Sequence, residues 1–544
     1  MANRRDRFRE IVETLTRHGL GFGLAVLGLD RRVSVTRGRP IPQDVTLPMR
    51  VRLALEDLGP TYIKFGQILS TRPDVLPTTY AEELAKLQDA APPIPVAEVR
   101  RVIIDELGDA GQELLATLDE RPYASASIGQ VHLARLGGVE VVVKVRRPGV
   151  VEQIQADLEI LEELAARASR TWELAEQYDI TGLVDEFART LRRELDYVQE
   201  AHNAERFAEN FTDDPRVRIP RVFWPQTTSR VLTLERMTGI KITDLAALTA
   251  AGIDRRQLAE RASSVLLTMV FEDGFFHADP HPGNFFVEAN GRLEIIDFGM
   301  VGQIDEALRN QLVRLLLASV DGDADQVTAG IVELCGTPQT VDVGLLRSGI
   351  SRLLRTYTGR PMAEVPIAPV VSEILGLLRA HHLRLPSEVA MLAKMIMMAD
   401  GLGKQLDPRF DLMTVLSPYT RWLMYDAITP QALLQRMRRL GIDTLQLGLE
   451  APRAARRLLN ILERGGFDVH VRAAELEPLM DRAEKIGNRV VAGMIASALI
   501  TAIGELVAQE PSRWRNWTSG LFAAGLGGVA SLGGYIAWSS RRSG

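Results

Sequence analysis

The chain has 544 residues, 46% of them hydrophobic and 25% charged, which at roughly 150 residues per domain allows three or four globular units and excludes a disordered or collagen-like polymer. Lys plus Arg number 64 against 70 Asp plus Glu, a net charge of −6, so there is no cationic surplus for coating a nucleic-acid duplex. One cysteine, Cys335, excludes an internal disulfide and a cysteine-based zinc cage and fits a reducing compartment.

In chain order, residues 1–60 read as helical around a polar, proline-punctuated stretch at 36–48. The start, MANRRDRFREIVETL, is amphipathic and charged, with no continuous apolar region of the kind a secretory signal needs. Residues 80–118 have helical periodicity broken at Ala91-Pro92-Pro93. The period then changes to two. HLARL (132–136) and VEVVVKV (139–145), joined by Gly137-Gly138, predict two strands and a two-residue hairpin turn. Helix is expected over 151–169 and 180–211, then a strand over RVLTLERM (230–237) and a helix over 255–273. NFFVEANGRLEIIDFG predicts a hairpin turning at Asn290-Gly291, and residues 305–482 are helical in pattern.

The mean hydropathy of +0.00 is high for a soluble chain, and its source is the C-terminal end. VVAGMIASALITAIGEL (490–506) carries Glu505 alone among ionisable groups, and WTSGLFAAGLGGVASLGGYIAW (517–538) carries none. A bilayer core takes about 20 apolar residues, so both stretches approach spanning length. Gly520, Ala524 and Gly528 have small-residue helix-packing spacing, and Trp514, Trp517, Tyr535 and Trp538 bracket the second stretch as interfacial anchors. Lys485, Arg489, Arg541 and Arg542 at the outer ends, against Arg513 and Arg515 in the connection, favour a hairpin with both ends cytoplasmic.

The chemistry concentrates in residues 277–299. His277-Ala278-Asp279-Pro280-His281-Pro282-Gly283-Asn284 precedes Asp297-Phe298-Gly299, an Asp and Asn on one loop followed by a strand ending in Asp-Phe-Gly, as in kinases. Phosphoryl transfer needs a carboxylate to orient or accept the proton of the attacking hydroxyl, here Asp279. It also needs oxygen ligands to hold Mg²⁺ against the phosphates of ATP, here Asn284 and Asp297. Zinc binding by His277 and His281 is disfavoured because Pro280 and Pro282 prevent the helix that usually presents such a pair. Upstream, alternation in VEVVVKV puts Val141, Val143 and Val145 on one face and Lys144 on the other, free to reach a cleft. Lys144 is expected to pair with a carboxylate of the helix carrying Glu194, Asp196 and Glu200.

The sequence resembles the UbiB/ADCK group of atypical protein-kinase-like proteins. The resemblance is carried by Lys64-Phe65-Gly66-Gln67, which looks like the KxGQ motif; by Ala124-Ser125-Ala126-Ser127-Ile128-Gly129, similar to an alanine-rich loop; by Glu194-x-Asp196 with Glu200; and by Asp279, Asn284 and Asp297. It covers about residues 50–420 and implies an α+β, two-lobed kinase fold with a helical extension folded over the active site. By that likeness Glu200 pairs with Lys144, while Glu194 and Asp196 engage Lys64; Lys64, Gly66 and Gln67 gate the substrate. The nucleotide meets Ala124, Ser125, Ala126, Ser127, Ile128 and Lys144, with Glu235 and Met237 at the end of the next strand. The expected domains are 1–118 (extension), 119–238 (N-lobe), 239–420 (C-lobe), 421–485 (helical linker) and 486–544 (membrane-spanning hairpin). Bacterial members act in ubiquinone biosynthesis at the membrane. The resemblance therefore implies a catalytic domain on the cytoplasmic side of the plasma (inner) membrane, with a membrane lipid or quinone precursor and other quinone-biosynthesis proteins as partners.

The residues themselves argue against peptide phosphorylation. ASASIGQ replaces the usual glycine-rich loop with stiffer backbone, and Ser125 and Ser127 hydroxyls are expected at phosphate instead. Gly19-Leu20-Gly21-Phe22-Gly23 lies far upstream in a helical context. No Ala-Pro-Glu triplet follows Gly299, and no Ser, Thr or Tyr lies between Gly299 and Ala318. Two other readings compete: a small-molecule phosphotransferase of the aminoglycoside or choline kinase sort, and a nucleotide-binding scaffold without turnover. Of the remaining features, Met391, Met395, Met397 and Met398 read as helix packing, Lys394 as an edge charge or a contact to the kinase lobe, and Arg72 and Asp74 as groups that orient the KxGQ block.

Overall fold

The computed structural model describes residues 4–21, 45–70, 72, 74–87, 91–171, 179–336, 341–357, 366–416 and 418–419. The chain divides into two units, Met1–Leu433 and Leu434–Gly544. All described residues lie in the first, so the expected linker 421–485 and hairpin 486–544 fall outside them. Among the described residues no helix is long and apolar enough to cross a membrane.

The chain opens with α1 (Arg4–Arg17), α2 (Leu47–Leu58), α3 (Pro60–Ser70) and α4 (Thr78–Leu84). Pro48 and Pro60 fall in first turns, where a missing N–H costs no intrahelical bond. Ile11, Leu55, Leu58, Tyr62, Ile63, Leu84 and Leu87 bury one another in a small core of their own. Gly66 of α3 lies in that core. A Cβ there would stand 2.3 Å from Leu87 Cδ1 and 2.8 Å from Leu55 Cδ1, both buried side chains. Gly66→Ala is therefore expected to cost about 1–3 kcal/mol by overpacking, seen as a lower urea midpoint in equilibrium unfolding.

Helices α5 (Val96–Leu107) and α6 (Gln112–Thr117) lead into β1 (Ala124–Ser125), β2 (Gly129–Leu136) and β3 (Val139–Arg146). The predicted hairpin forms: Leu136 faces Val139, and Gly137 and Gly138 take φ of 57° and 80°, the left-handed geometry that a two-residue turn requires. Next come α7 (Val150–Thr171), α8 (Ile180–Glu194), α9 (Tyr197–Asn210), β4 (Val217–Arg218) and β5 (Val231–Glu235). The stretch 180–211, expected as one helix, is two. Asp196 starts α9 by accepting a hydrogen bond from the Val198 N–H, as an N-cap does. The N-lobe sheet has the order β1-β2-β3-β5, all antiparallel. Val141, Val143 and Val145 face inward against Val99, Ile103 and Leu114, as the alternation predicts.

The C-lobe comprises β6 (Ile240–Lys241), α10 (Leu245–Ala250), α11 (Arg255–Phe271), β7 (Phe275–His277), β8 (Phe285–Val287), β9 (Leu293–Ile295) and β10 (Val301–Gln303). One sheet runs β4-β9-β8-β6, and β10 pairs with β7, so the loop after β7 and the end of β9 meet at one edge. Only β10 and a short connection separate Gly299 from α12 (Glu306–Val320), leaving no extended activation segment. The chain continues through α13 (Ala324–Cys335), α14 (Val343–Tyr357), α15 (Ile367–Ala380) and α16 (Ser387–Leu406). Helix α16 is wedged between two cores: Leu392, Met395, Ala399 and Leu402 join the C-lobe, while Val389 and Ala390 join the cluster of α12–α15. Of its methionines, Met391 and Met395 pack in the C-lobe core and Met397 against the α12–α15 cluster, Met395 completely buried.

Candidate active site

The centre of the site is Lys144, which reaches from β3 across to α9 and forms an ion pair with Glu200. Its ammonium is also 3.9 Å from Asp297 Oδ1. Burial alone would lower the Lys144 pKa, but Glu200 and Asp297 outweigh it, so the ammonium is held charged. Glu200 also accepts from the Phe298 N–H (3.4 Å), and Asn203 Nδ2 donates to the Phe298 carbonyl (2.9 Å). Helix α9 thus grips the Asp-Phe-Gly turn from the N-lobe side. Phe298 itself is fully buried among Phe207, His277 and neighbouring apolar groups.

Asp297 adopts φ 66°, a left-handed conformation that Asp tolerates and bulky residues do not. The turn aims its carboxylate into the cleft, where the side chain is 52% exposed, with Oδ1 accepting from the Gly299 N–H at 3.2 Å. Burial pushes this carboxyl up, but Lys144, then His277 and Lys64, pull it below the usual range. On the facing loop, Asn284 Nδ2 donates to the Asp279 carbonyl (3.2 Å), and the Ile296 N–H donates to the Asn284 carbonyl (3.0 Å). That arrangement leaves Asn284 Oδ1 available as a ligand. An amide oxygen and an ionised carboxylate are the hard donors that Mg²⁺ takes, its other positions being filled by water and phosphate. The donor set fits magnesium. Among the described residues no three His, Cys, Asp or Glu side chains cluster to hold a metal without such help.

His277 and His281 serve the loop itself. His277 is buried and accepts from the Asp279 N–H at 3.2 Å, and His281 accepts from the Gly283 N–H at 3.1 Å. The Asp279 side chain meets the helical region: Lys394 Nζ of α16, of the two readings open to it, contacts the kinase lobe and donates to Oδ1 at 2.7 Å. Burial would raise the Asp279 carboxyl, but Lys394 outweighs it and holds it below its ordinary value. The sequence clue is a lone cation in a mostly apolar helical run, LPSEVAMLAKMIMMADGL, whose other charges are Glu388 and Asp400.

Helix α3 lies along α8. Lys64 forms an ion pair with Glu194 at the C-terminal end of α8. Arg72 binds Glu186 earlier in α8 through both carboxylate oxygens (3.1 and 3.0 Å), and between them the Phe65 and Phe187 rings meet edge-on at 4.9 Å. Arg72 also binds Asp74 through both oxygens (3.0 and 2.8 Å) and the Leu385 carbonyl (3.2 Å), so it ties the extension to the helical region as well as to α8.

Four of the groups expected at the site make other contacts in the structure. Asp196 caps α9 at the Val198 N–H and does not join Glu194 at Lys64. Gln67 donates to the Leu87 carbonyl at 3.1 Å, a tie within the extension. In the alanine-rich loop, Ser127 and Ile128 are buried, the latter against α7 and α8, and the Ser125 hydroxyl is bound by Arg147 at 2.8 Å. Steric closure explains this: a Cβ on Gly129 would lie 2.1 Å from the Tyr197 hydroxyl, so the loop packs down onto α9. Ala124 and Ala126 remain at its surface-facing positions. Glu235 turns its carboxylate to Arg218 (2.7 Å) and the Arg221 N–H (3.3 Å), and its own N–H donates to the Arg221 carbonyl (2.9 Å); Met237 beyond it is buried.

Residues 86–330 match the ABC1 atypical kinase-like domain, and residues 350–411 match the UbiB helical domain. The chain is 34% identical over 504 residues to a Xanthomonas campestris protein named "Probable protein kinase UbiB", covering 90% of each. It is 36% identical over 437 residues to an uncharacterized protein of Synechocystis, covering 79% of this chain and 75% of that one. Among solved structures, a Mycobacterium tuberculosis protein in complex with erythromycin aligns with 27% identity and a TM-score of 0.46, over 66% of this chain and 92% of that one.

Proposed function

The chain belongs to the ABC1/UbiB family of atypical kinase-like proteins, and on that premise we propose that it is a membrane-anchored ATPase or small-lipid kinase that binds Mg·ATP and supports isoprenoid quinone biosynthesis of the ubiquinone type. The observation that carries the reading is the convergence of Lys144, Glu200 and Asp297 from three different elements. Lys144 binds the phosphates, Glu200 holds it in place, and Asp297 with Asn284 retains the magnesium. The magnesium neutralises phosphate charge when bound. Asp279 orients the attacking hydroxyl or water and takes its proton.

Substrate choice follows from what lies over the cleft. The Lys64–Glu194 pair and the extension occupy the side where a peptide would dock, and the short link from Gly299 to α12 offers no platform for one. The acceptor is water or a small lipophilic molecule such as a quinone precursor in the membrane, with other quinone-biosynthesis proteins as partners. The apolar stretches 490–506 and 517–538 support anchoring at the inner membrane with the catalytic domain cytoplasmic.

The purified full chain is expected to hydrolyse ATP with magnesium, and Asp279→Asn to lower kcat by about 10²-fold while Mg·ATP binding persists. Quinone profiles of a deletion strain complemented with each version extend the test to the cell. Full rescue by Asp279→Asn would show that nucleotide binding, not turnover, is what the cell requires. Turnover on soluble alcohols would favour an aminoglycoside- or choline-kinase-like enzyme.

A further inference from the structure

The catalytic loop, Asp279-Pro280-His281-Pro282-Gly283-Asn284, contains no lysine or arginine. Phosphoryl transfer spreads negative charge over the equatorial oxygens of the moving group, and a positively charged side chain aimed at them is a recurrent requirement. Lys144 serves the other side of the cleft, bound to Glu200 and facing Asp297. The cation at Asp279 comes instead from α16 in the helical region: Lys394 Nζ, 2.7 Å from Oδ1, its side chain 18% exposed.

Two features give Lys394 more than a packing role. An ammonium has three N–H donors, and among the described residues Asp279 is the only hydrogen-bond partner of this one. Donors therefore remain for a ligand on the open side. The helix that carries Lys394 is fixed on both flanks, by Leu392 and Met395 in the C-lobe core and by Val389 and Ala390 in the α12–α15 cluster. Such a mount presents the charge at a defined position rather than on a mobile stem.

Resting on the Mg·ATP reading above, we infer that Lys394 is a catalytic residue that binds the transferred γ-phosphoryl group, a cation supplied in cis by the helical region to a catalytic loop that has none. In hydrolysis the water oxygen bonds to the γ-phosphorus as the bond from that phosphorus to the ADP oxygen breaks. ADP keeps the bonding pair. The water proton passes to the Asp279 carboxylate and from there to the released phosphate. Lys394 hydrogen-bonds a γ-phosphoryl oxygen throughout and exchanges no proton.

The test uses the purified full chain in detergent, as wild type, Lys394→Met and Lys394→Arg. ATP hydrolysis is measured alongside equilibrium binding of Mg·ADP and of the non-hydrolysable Mg·AMP-PNP. Lys394→Met is expected to lower kcat by about 10²–10³-fold. It should also weaken Mg·AMP-PNP while leaving Mg·ADP unchanged, because only the former carries the terminal group. Lys394→Arg should restore part of the turnover. Equal weakening of both nucleotides would mark a packing role and overturn the inference; so would unchanged or increased turnover, the latter identifying Lys394 as a block on Asp279. Unchanged Mg·ADP binding also shows that the variant is folded. A wild-type chain that neither binds nor hydrolyses Mg·ATP would instead overturn the functional reading itself, and this inference with it.

Discussion

Replacing Asp297 by asparagine is expected to abolish magnesium-dependent nucleotide binding and to reduce turnover by at least about 10³-fold, since one metal-bound carboxylate contributes several kcal/mol of charge stabilisation. The substitution isolates charge from shape. Asparagine tolerates the left-handed backbone found at φ 66° and keeps the volume of the side chain, so the turn that Phe298 anchors is preserved. What disappears is the anion that balances Lys144 at 3.9 Å and that the proposed function assigns to Mg²⁺. Magnesium dehydrates reluctantly and usually has only one or two protein carboxylates as ligands; Asn284 alone cannot retain it. Thermal-shift titration with Mg·ATP and Mg·ADP reads the loss directly. An undiminished shift in the variant would contradict the assignment of Asp297 to the metal.

Arg72→Met is expected to destabilise the fold by about 3–5 kcal/mol, the cost of leaving a buried charge without its partner. Arg72 and Asp74 are 3% and 1% exposed. Burial alone would lower the guanidinium pKa, but Asp74 and Glu186 outweigh it and hold the group charged. Removing it strands the Asp74 carboxylate, whose only other support among the described residues is the Leu385 N–H at 3.2 Å, and frees the Leu385 carbonyl. Urea unfolding monitored by circular dichroism gives the magnitude. Adding Asp74→Leu to Arg72→Met should recover part of the loss, because the apolar pair no longer buries an orphan charge. A single variant as stable as wild type would show that water relieves the site.

What could be read from the sequence was local. Lys144 was assignable because strand alternation places it opposite a buried valine face, and Asp279, Asn284 and Asp297 because loop and turn chemistry keep them close in sequence. The Gly137-Gly138 turn follows from the same local rules. What escaped depends on distant contacts. No spacing rule links Lys394 to Asp279, since the helix that joins them packs by tertiary complementarity alone. The short strands β7 and β10 carry too few residues for a period to show. The break after Glu194 was written in Asp196, a cap residue, but apolar spacing on both sides masked it. Ser125 and Ser127 looked accessible because the sequence does not reveal how tightly Gly129 lets the loop approach Tyr197.

Lys64 and Arg72 of the extension and their partners Glu194 and Glu186 on α8 are separated by the same sequence interval and run in opposite directions, Lys64 to Glu194 and Arg72 to Glu186. The interval works as a ruler. With an aromatic rivet between the teeth, neither end can be shifted by a residue without misaligning the other, because a one-residue step turns a helix face by about 100°. Lys64 is therefore delivered at a length set by the backbone, and the number of residues between it and Arg72 is held as tightly as the identities of Phe65 and Gly66, which pack within that stretch.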